Sequence, residues 1–296
     1  ASTTFFRDGG CAGCHHQQMT AIAVGVARDR AVKYDEKAAA EQLKILRGEW
    51  LSGQDNLLQR IDPPAGTVIT AFTLFSLAAL NYPPDANTDA VVCNIAAQQH
   101  ADGGWHGGGL ARAPMSDGDI GRTATAIRAI RAFGFPGRKA EFDHRIERAR
   151  RWLEAAVPRY NEDRNAQLLG LKWADADPSL IRKLARELMA EQRADGGWAQ
   201  NARLESDAYA TGQVLYTLNQ AAGISASDEA YQRGVKYLLK TQLPDGSWHV
   251  KSRAVKFQPY FQSGFPHDHD QWISASATAW ATGALALALP ARSGIN

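Results

Sequence analysis

The chain has 296 residues, with 33 Lys+Arg against 31 Asp+Glu and 45% hydrophobic residues. At roughly 150 residues per domain, one large domain or two ordinary ones can form, and either buries a core without help from a metal or disulfide. A formal charge of +2 excludes the basic excess that nucleic-acid binders set against phosphates, and the aliphatic content excludes a disordered chain.

The chain starts at Ala1 without Met and without an apolar signal stretch, as expected of a periplasmic or otherwise exported chain after signal removal. Residues 11–16 read Cys11-Ala12-Gly13-Cys14-His15-His16. Two thiols one helical turn apart are spaced to add to the two vinyl groups of one haem, and the adjacent His reaches the iron. This short segment resembles a c-type cytochrome attachment site. The resemblance implies covalent haem c on Cys11 and Cys14 with His15 as proximal iron ligand. Zinc held by the same Cys/His cluster, a redox-active disulfide and inert thiols stay open as alternatives. For a sixth ligand the candidates are Met19 nearby and His106, Met115, His267 and His269 from distant sequence. Residues 1–34 are assigned to this segment and 35–296 to a second unit.

Downstream, two kinds of helix alternate. An early pair is expected within Glu41 to Leu80, its second member the apolar run from Thr67. Ala90 to Cys93 lies on the next helix, with Cys93 expected to be a buried, inert thiol. The string Gln99-x-x-Asp102-Gly103-Gly104-Trp105 ends that helix, because Gly tolerates the left-handed cap conformation. Asp117 to Arg122 then opens a small, apolar helix, Thr123 to Ala132. Arg145, Arg148, Arg150 and Arg151 share a helix with Glu141, Glu147 and Glu154, the pattern of a solvated face. A degenerate copy of the motif fits Arg151 to Asp163, and Asn161 to Asn165 opens another helix.

Ser179 to Met189 is amphipathic and leads into the second full copy, Gln192 to Trp198. Glu205 to Tyr209 opens the apolar helix Ala208 to Leu218, and the third copy is Gln242 to Trp248. A long loop rich in aromatics and bases, Lys251 to Phe265, precedes His267 to Trp272 and the last helix, Ser274 to Leu289. Ser and Thr interrupt that last helix, so no transmembrane span is expected. Amphipathic helices alternating with helices that are apolar nearly all round make an outer and an inner layer. The expected fold is all-α: an α/α-toroid, a double-layered ring of about five helix pairs. The repeated Gln, Gly and Trp are assigned to stapling that ring.

The three copies resemble the tryptophan repeats of squalene–hopene cyclases, which share the α/α-toroid with protein prenyltransferase β-subunits. The resemblance covers roughly residues 35–290 and implies a central cavity. The cyclase acid motif is matched best by Asp119-Ile120-Gly121-Arg122-Thr123-Ala124, where Gly121 and Arg122 replace the acid pair. An Arg cannot donate the proton that starts cyclisation. Asp175-Ala176-Asp177 resembles part of the motif, and the following Pro178 makes it a helix cap. The prenyltransferase zinc site needs a Cys where Asp207-Ala208-Tyr209 has none and a His near Ile273.

Polar helix starts should gather around one end of the ring. The cavity-mouth candidates are Asp119, Arg122, Asp163, Asp207, Tyr209 and Asp270, with helix capping the competing role of each Asp. The first expectation is an exported c-type haem protein on this toroid, serving electron transfer or haem-based redox chemistry with a redox partner protein. The alternative is a terpenoid cyclase- or prenyltransferase-like enzyme, or a binder of apolar isoprenoid small molecules. A scaffold that recognises another protein, or a module of a larger assembly, is the third.

Overall fold

Repeating polar-faced and apolar helices can bury their surfaces only by closing on one another, and the chain does so in a ring. The computed structural model describes residues 2–9, 13–51, 53–63, 65–107, 112–115, 118–255 and 260–290. In chain order the first helices are α1 (Ser2–Gly9), α2 (Met19–Asp29), α3 (Glu36–Leu51), α4 (Gln54–Leu58), α5 (Thr67–Ala79), α6 (Ala86–Ala97) and α7 (Asp119–Phe133). There follow α8 (Lys139–Ala155), α9 (Asn161–Trp173), α10 (Pro178–Ala190), α11 (Ala208–Ala222), α12 (Glu229–Thr241) and α13 (Gln271–Leu287). Among the described residues the extended pairing is an isolated bridge between Ala199 and Ser206.

Six helices form the inner layer, each packed on the next: α2, α5, α7, α9, α11, α13 and back to α2. Outside them, each outer helix follows an inner one in sequence and covers its junction with the next. Thus α3 packs on α2 and α5, α6 on α5 and α7, α8 on α7 and α9, α10 on α9 and α11, and α12 on α11 and α13. The layers differ as their sequences require. Outer α10 buries Ile181, Ala185 and Leu188, a single stripe, whereas inner α11 is buried from Ala208 through Leu218. Each large aliphatic so covered contributes about 1.5–3 kcal/mol.

Five outer–inner pairs are present, and the ring has one further inner helix, α2. The expected division at residue 34 therefore does not mark a break in packing. Gln18, just before α2, donates from Nε2 to Thr73 Oγ1 at 2.7 Å, and Ser76 Oγ returns a bond to Gln18 O at 3.1 Å. Gly25 makes this approach possible, since a Cβ there would sit 2.3 Å from Ala79 O. Cys93 is half-buried and not the fully enclosed thiol expected; Arg138 Nη1 donates to its Sγ at 3.2 Å.

The repeated motif is a three-way staple. The indole N–H groups of Trp105, Trp198 and Trp248 donate to Ile95, Leu188 and Leu238 carbonyls at the ends of α6, α10 and α12 (2.7, 2.9 and 2.9 Å). The backbone N–H groups of the same tryptophans donate to Thr123, Thr211 and Thr278 hydroxyls on the next inner helices (3.0, 2.9 and 3.2 Å). Gln99 and Gln192 reach forward to the following outer helices, donating to Arg145 O at 2.8 Å and Ala230 O at 2.7 Å. Gly196 has φ +88°, and a Cβ there would meet Arg233 O at 2.8 Å, so the motif's first Gly is required twice over. In the degenerate copy the inner helix supplies the cap. Gln167 Nε2 donates to Leu153 O and Ala156 O at 2.7 and 2.9 Å.

Candidate functional site

The inner helices deliver aromatic side chains to the middle of the ring. Phe75 of α5 meets Trp173 of α9 with ring centroids 5.2 Å apart, although α7 separates those helices around the circle. Arg128 of α7 lies over Trp173, 5.7 Å from its centroid, and Tyr216 of α11 packs on Trp280 of α13 at 5.0 Å. Around the starts of α9 and α11 the surroundings turn polar. Tyr209 donates from its hydroxyl to Glu162 Oε2 at 3.0 Å. Gln213, one turn along from Tyr209, also bonds the Glu162 carboxyl.

Glu162 is half-buried, keeping some accessible surface. Burial is the main influence on it and pushes its pKa up to about 7, against the bonds from Gln213 and Tyr209. The carboxyl is therefore substantially protonated at neutral pH. Beside it, Gln213 is 4% exposed, and its Oε1 has no hydrogen-bond partner among the described residues. The same is true of Thr217 Oγ1, one turn further along α11. Buried polar atoms left open in this way cost free energy unless water or a ligand meets them.

Asp207 caps α11, accepting from Ala210 N at 2.8 Å and from Gln200 Nε2 at 2.9 Å. Burial again dominates and pushes its pKa up to about 6. Arg253, from the long loop, donates to Gln200 Oε1 at 2.7 Å, lies 5.9 Å from the Tyr160 ring centroid, and acts electrostatically on both Asp207 and Glu162. Asp207 and Tyr209 of the sequence candidates thus come together with Glu162, Gln213, Gln200 and Arg253. Glu162 escaped selection although it stands in a polar helix start. Its detectable signal is spacing: it lies seven residues before the buried Leu169 and three before the fully buried Asn165, on the inward stripe of α9.

The other candidates lie apart. Asp119 is held by Arg122 at 2.6 Å and His106 Nδ1 at 2.8 Å, and His106 Nε2 meets Asp102 at 2.8 Å. Burial opposes charge on His106, but the two carboxylates outweigh it and raise its pKa. This closed charge network ties the first motif to α7. Asp163 accepts from Arg159 N at 2.9 Å before α9. Asp270 accepts from His249 Nε2 and Ser252 N, both at 2.8 Å, at the start of α13.

Of the motif near the N-terminus, Cys11 lies outside the described residues, as do the side chains of Cys14 and His15. The backbone from Cys14 to Gln18 forms a short π-helical turn into α2. His16 is buried, its ring stacked on Phe5 at 4.7 Å, and burial pushes its pKa down to about 3. It opens onto a slot of about 330 Å³ walled by α2 and α13. The distant ligand candidates do not line this slot. Met19 and Met115 are buried, His106 is in the network above, His267 Nε2 is 2.9 Å from Ser247 Oγ, and His269 packs on Tyr260 at 4.5 Å. No group of three or more potential metal ligands occurs among the described residues.

A family model of the squalene-hopene cyclase C-terminal domain matches residues 164–269. No curated protein is similar enough in sequence to match. Solved structures are similar over nearly the whole chain. An ent-copalyl diphosphate synthase from Streptomyces platensis shares 18% identity at a TM-score of 0.59, over 97% of this chain and 53% of that one. This chain therefore spans about half the length of that synthase. A glycosidase variant in complex with glucose gives 14% identity and a TM-score of 0.57, over 96% of this chain and 88% of its own. A type II terpene cyclase from Scytonema, in complex with its substrate geranylgeranyl dihydroxybenzoate, gives 14% and 0.54, over 93% and 88%. At these identities the likeness concerns fold: the chain is all-α and has the terpene-cyclase-like α/α-toroid.

Proposed function

We propose that the toroid binds an oxygen-bearing, largely apolar small molecule of the isoprenoid class, with Glu162 as its hydrogen-bond or proton donor. The observation that carries this is the Glu162 carboxyl, enclosed between α9 and α11, bonded to Tyr209 and pushed up to about 7. A carboxyl of that pKa is a weak acid. Protonating an alkene demands a much stronger one, so Glu162 suits donation to an alcohol, carbonyl or ether oxygen. Tyr216 of α11 and Trp280 of α13, packed on each other, supply aromatic surface for the hydrocarbon. The terpene-cyclase-like fold supports the ligand class.

The test is binding of a prenyl alcohol followed by tryptophan fluorescence. Saturable binding should persist in Glu162→Gln, whose amide still donates, and weaken roughly tenfold or more in Glu162→Leu, the cost of one buried hydrogen bond to the ligand. No saturable binding by the unsubstituted chain, together with no co-purified lipid by mass spectrometry, would overturn the reading.

A second reading concerns the Cys11-Ala12-Gly13-Cys14-His15 motif, and the burial of His16 at the mouth of an apolar slot favours it. On this reading the chain is an exported protein carrying covalent haem c. Cys11 and Cys14 would hold the group through thioether links, and His15 would be its iron ligand. The group would supply one-electron transfer, or binding of a small gas or peroxide at an open position. The slot walls near the motif are mostly alanine, valine and threonine. Mass spectrometry and a reduced-minus-oxidised spectrum of protein matured in a periplasm test it: one intact haem on the chain supports it, and a bare chain with zinc or none refutes it.

A further inference from the structure

A guanidinium drawn into a protein keeps its charge, so it needs an acceptor there. Two arginines of α7 have one: Arg122 pairs with Asp119, and Arg131 with Asp175. Arg128, between them, is different. It is half-buried, and its Nε is closed off from solvent with no hydrogen-bond partner among the described residues. Burial lowers its pKa, and Tyr216 of α11 is the one side chain of the described residues that acts against this. No carboxylate among them does so. The Tyr216 phenol is itself neutral, since burial pushes it up to about 12. Asp29, at the end of α2, acts on Tyr216 but not on Arg128, and it is held by Arg28 at 2.9 Å.

The surroundings of Arg128 are aromatic. Its guanidinium lies 5.7 Å from the centroid of Trp173, which Phe75 meets edge-on at 5.2 Å. Tyr216 packs on Trp280, and these two keep 7% and 5% of their surface accessible although they belong to inner helices. A ring face attracts a cation but takes up none of its in-plane N–H bonds. The group missing here is a planar acceptor with one negative charge. A carboxylate has that shape and charge, and pairs with a guanidinium through two parallel bonds. A phosphate would bring more charge than one guanidinium balances, and no second cation of the described residues acts on Arg128.

Tyr209, which bonds Glu162, and Tyr216, which acts on Arg128, are both on α11. Their spacing of seven residues is close to two full turns, so they share a stripe and lie about 10 Å apart along the helix. Resting on the reading that Glu162 meets a ligand oxygen, we propose that Arg128 is the seat of a ligand carboxylate. The ligand is then an apolar acid with a second, neutral oxygen at its Glu162 end, and its hydrocarbon runs past Tyr216 and Trp280.

The test is isothermal titration calorimetry at pH 6 with ω-hydroxyfarnesoic acid and its methyl ester. At that pH a ligand carboxyl is ionised while Glu162 keeps its proton. The probes share chain and hydroxyl and differ only at the head. The unsubstituted protein should bind the acid at least tenfold more tightly than the ester. In Arg128→Met, which keeps an unbranched side chain without the charge, the acid should lose that advantage while the ester binds as before. Arg128→Lys should keep part of it. Equal binding of acid and ester by the unsubstituted protein would overturn the carboxylate seat and leave the proposed function standing; that comparison needs no variant. An advantage undiminished in Arg128→Met, shown folded by circular dichroism, would also overturn the seat. Binding of neither probe, nor of farnesol, would overturn the seat and the proposed function together.

Discussion

Glu162 couples the site to stability through its proton. Its ordinary value is 4.5, and burial lifts it to about 7 in the folded chain. Between those values the folded state holds a proton the unfolded state has lost, so stability is present below pH 4.5 and falls as pH rises toward 7. Glu162→Gln removes this dependence. The stability difference between the variant and the parent should therefore grow in the variant's favour across that window, by at most about 3 kcal/mol, in urea unfolding at several pH values. Asp207, pushed up to about 6, adds a slope of the same sign in both proteins and cancels from the difference. The opposite sign would show that Glu162 is ionised when folded. At this scale the sequence was only partly legible. Asp207 and Tyr209 announce themselves as a polar helix start, but the choice between Glu162 and Asp163 depends on which faces the ring. The contribution of Arg253 needs the path of a loop that carries no periodic pattern.

The staple belongs to the scale of elements, and there the sequence was most informative, because the same residues recur wherever an outer helix hands over to an inner one. Trp198 joins the end of α10 to Thr211 of α11. Trp198→Ala should cost about 3–5 kcal/mol, from lost burial and the cavity left behind. Thr211→Val should cost about 1 kcal/mol, since it strands the Trp198 N–H. Trp198→Ala removes the indole bond to Leu188 O but keeps the backbone N–H that meets Thr211, so the double variant should lose close to the sum; a loss well below the sum in urea denaturation would contradict two separate bonds. The degenerate copy was legible only as a gap in the spacing. Its replacement cap, Gln167, sits on the inner helix and lies outside any motif string. Gln167→Leu should destabilise by about 1–3 kcal/mol, removing the side-chain donor to Leu153 O, which keeps the Ala156 N–H, and to Ala156 O.

At the scale of the whole molecule, repeats imply a ring, but repeat spacing says nothing about the helix that closes it. The closing helix α2 has no Gln-x-x-Asp-Gly-Gly-Trp before it, and the Cys-x-x-Cys-His string at its start sets residues 1–34 apart as a separate unit in the sequence. What ties α2 into the circle is the small size of Gly25 against Ala79 and the buried amide of Gln18. Gly25→Val should therefore loosen the ring at one place. Hydrogen exchange should rise first in α2 and in the facing turns of α5 and α13, with α9 and α10 protected as before; a uniform rise would contradict local closure by α2.

The ring so closed delivers one weakly acidic carboxyl to an enclosed, partly accessible position, and the proposed function depends on that acid being neutral. A ¹³C-NMR titration of the Glu162 side-chain carboxyl measures it directly. The account predicts a midpoint near pH 7 that moves when a prenyl alcohol binds. A midpoint near 4.5, unaffected by the alcohol, would contradict it.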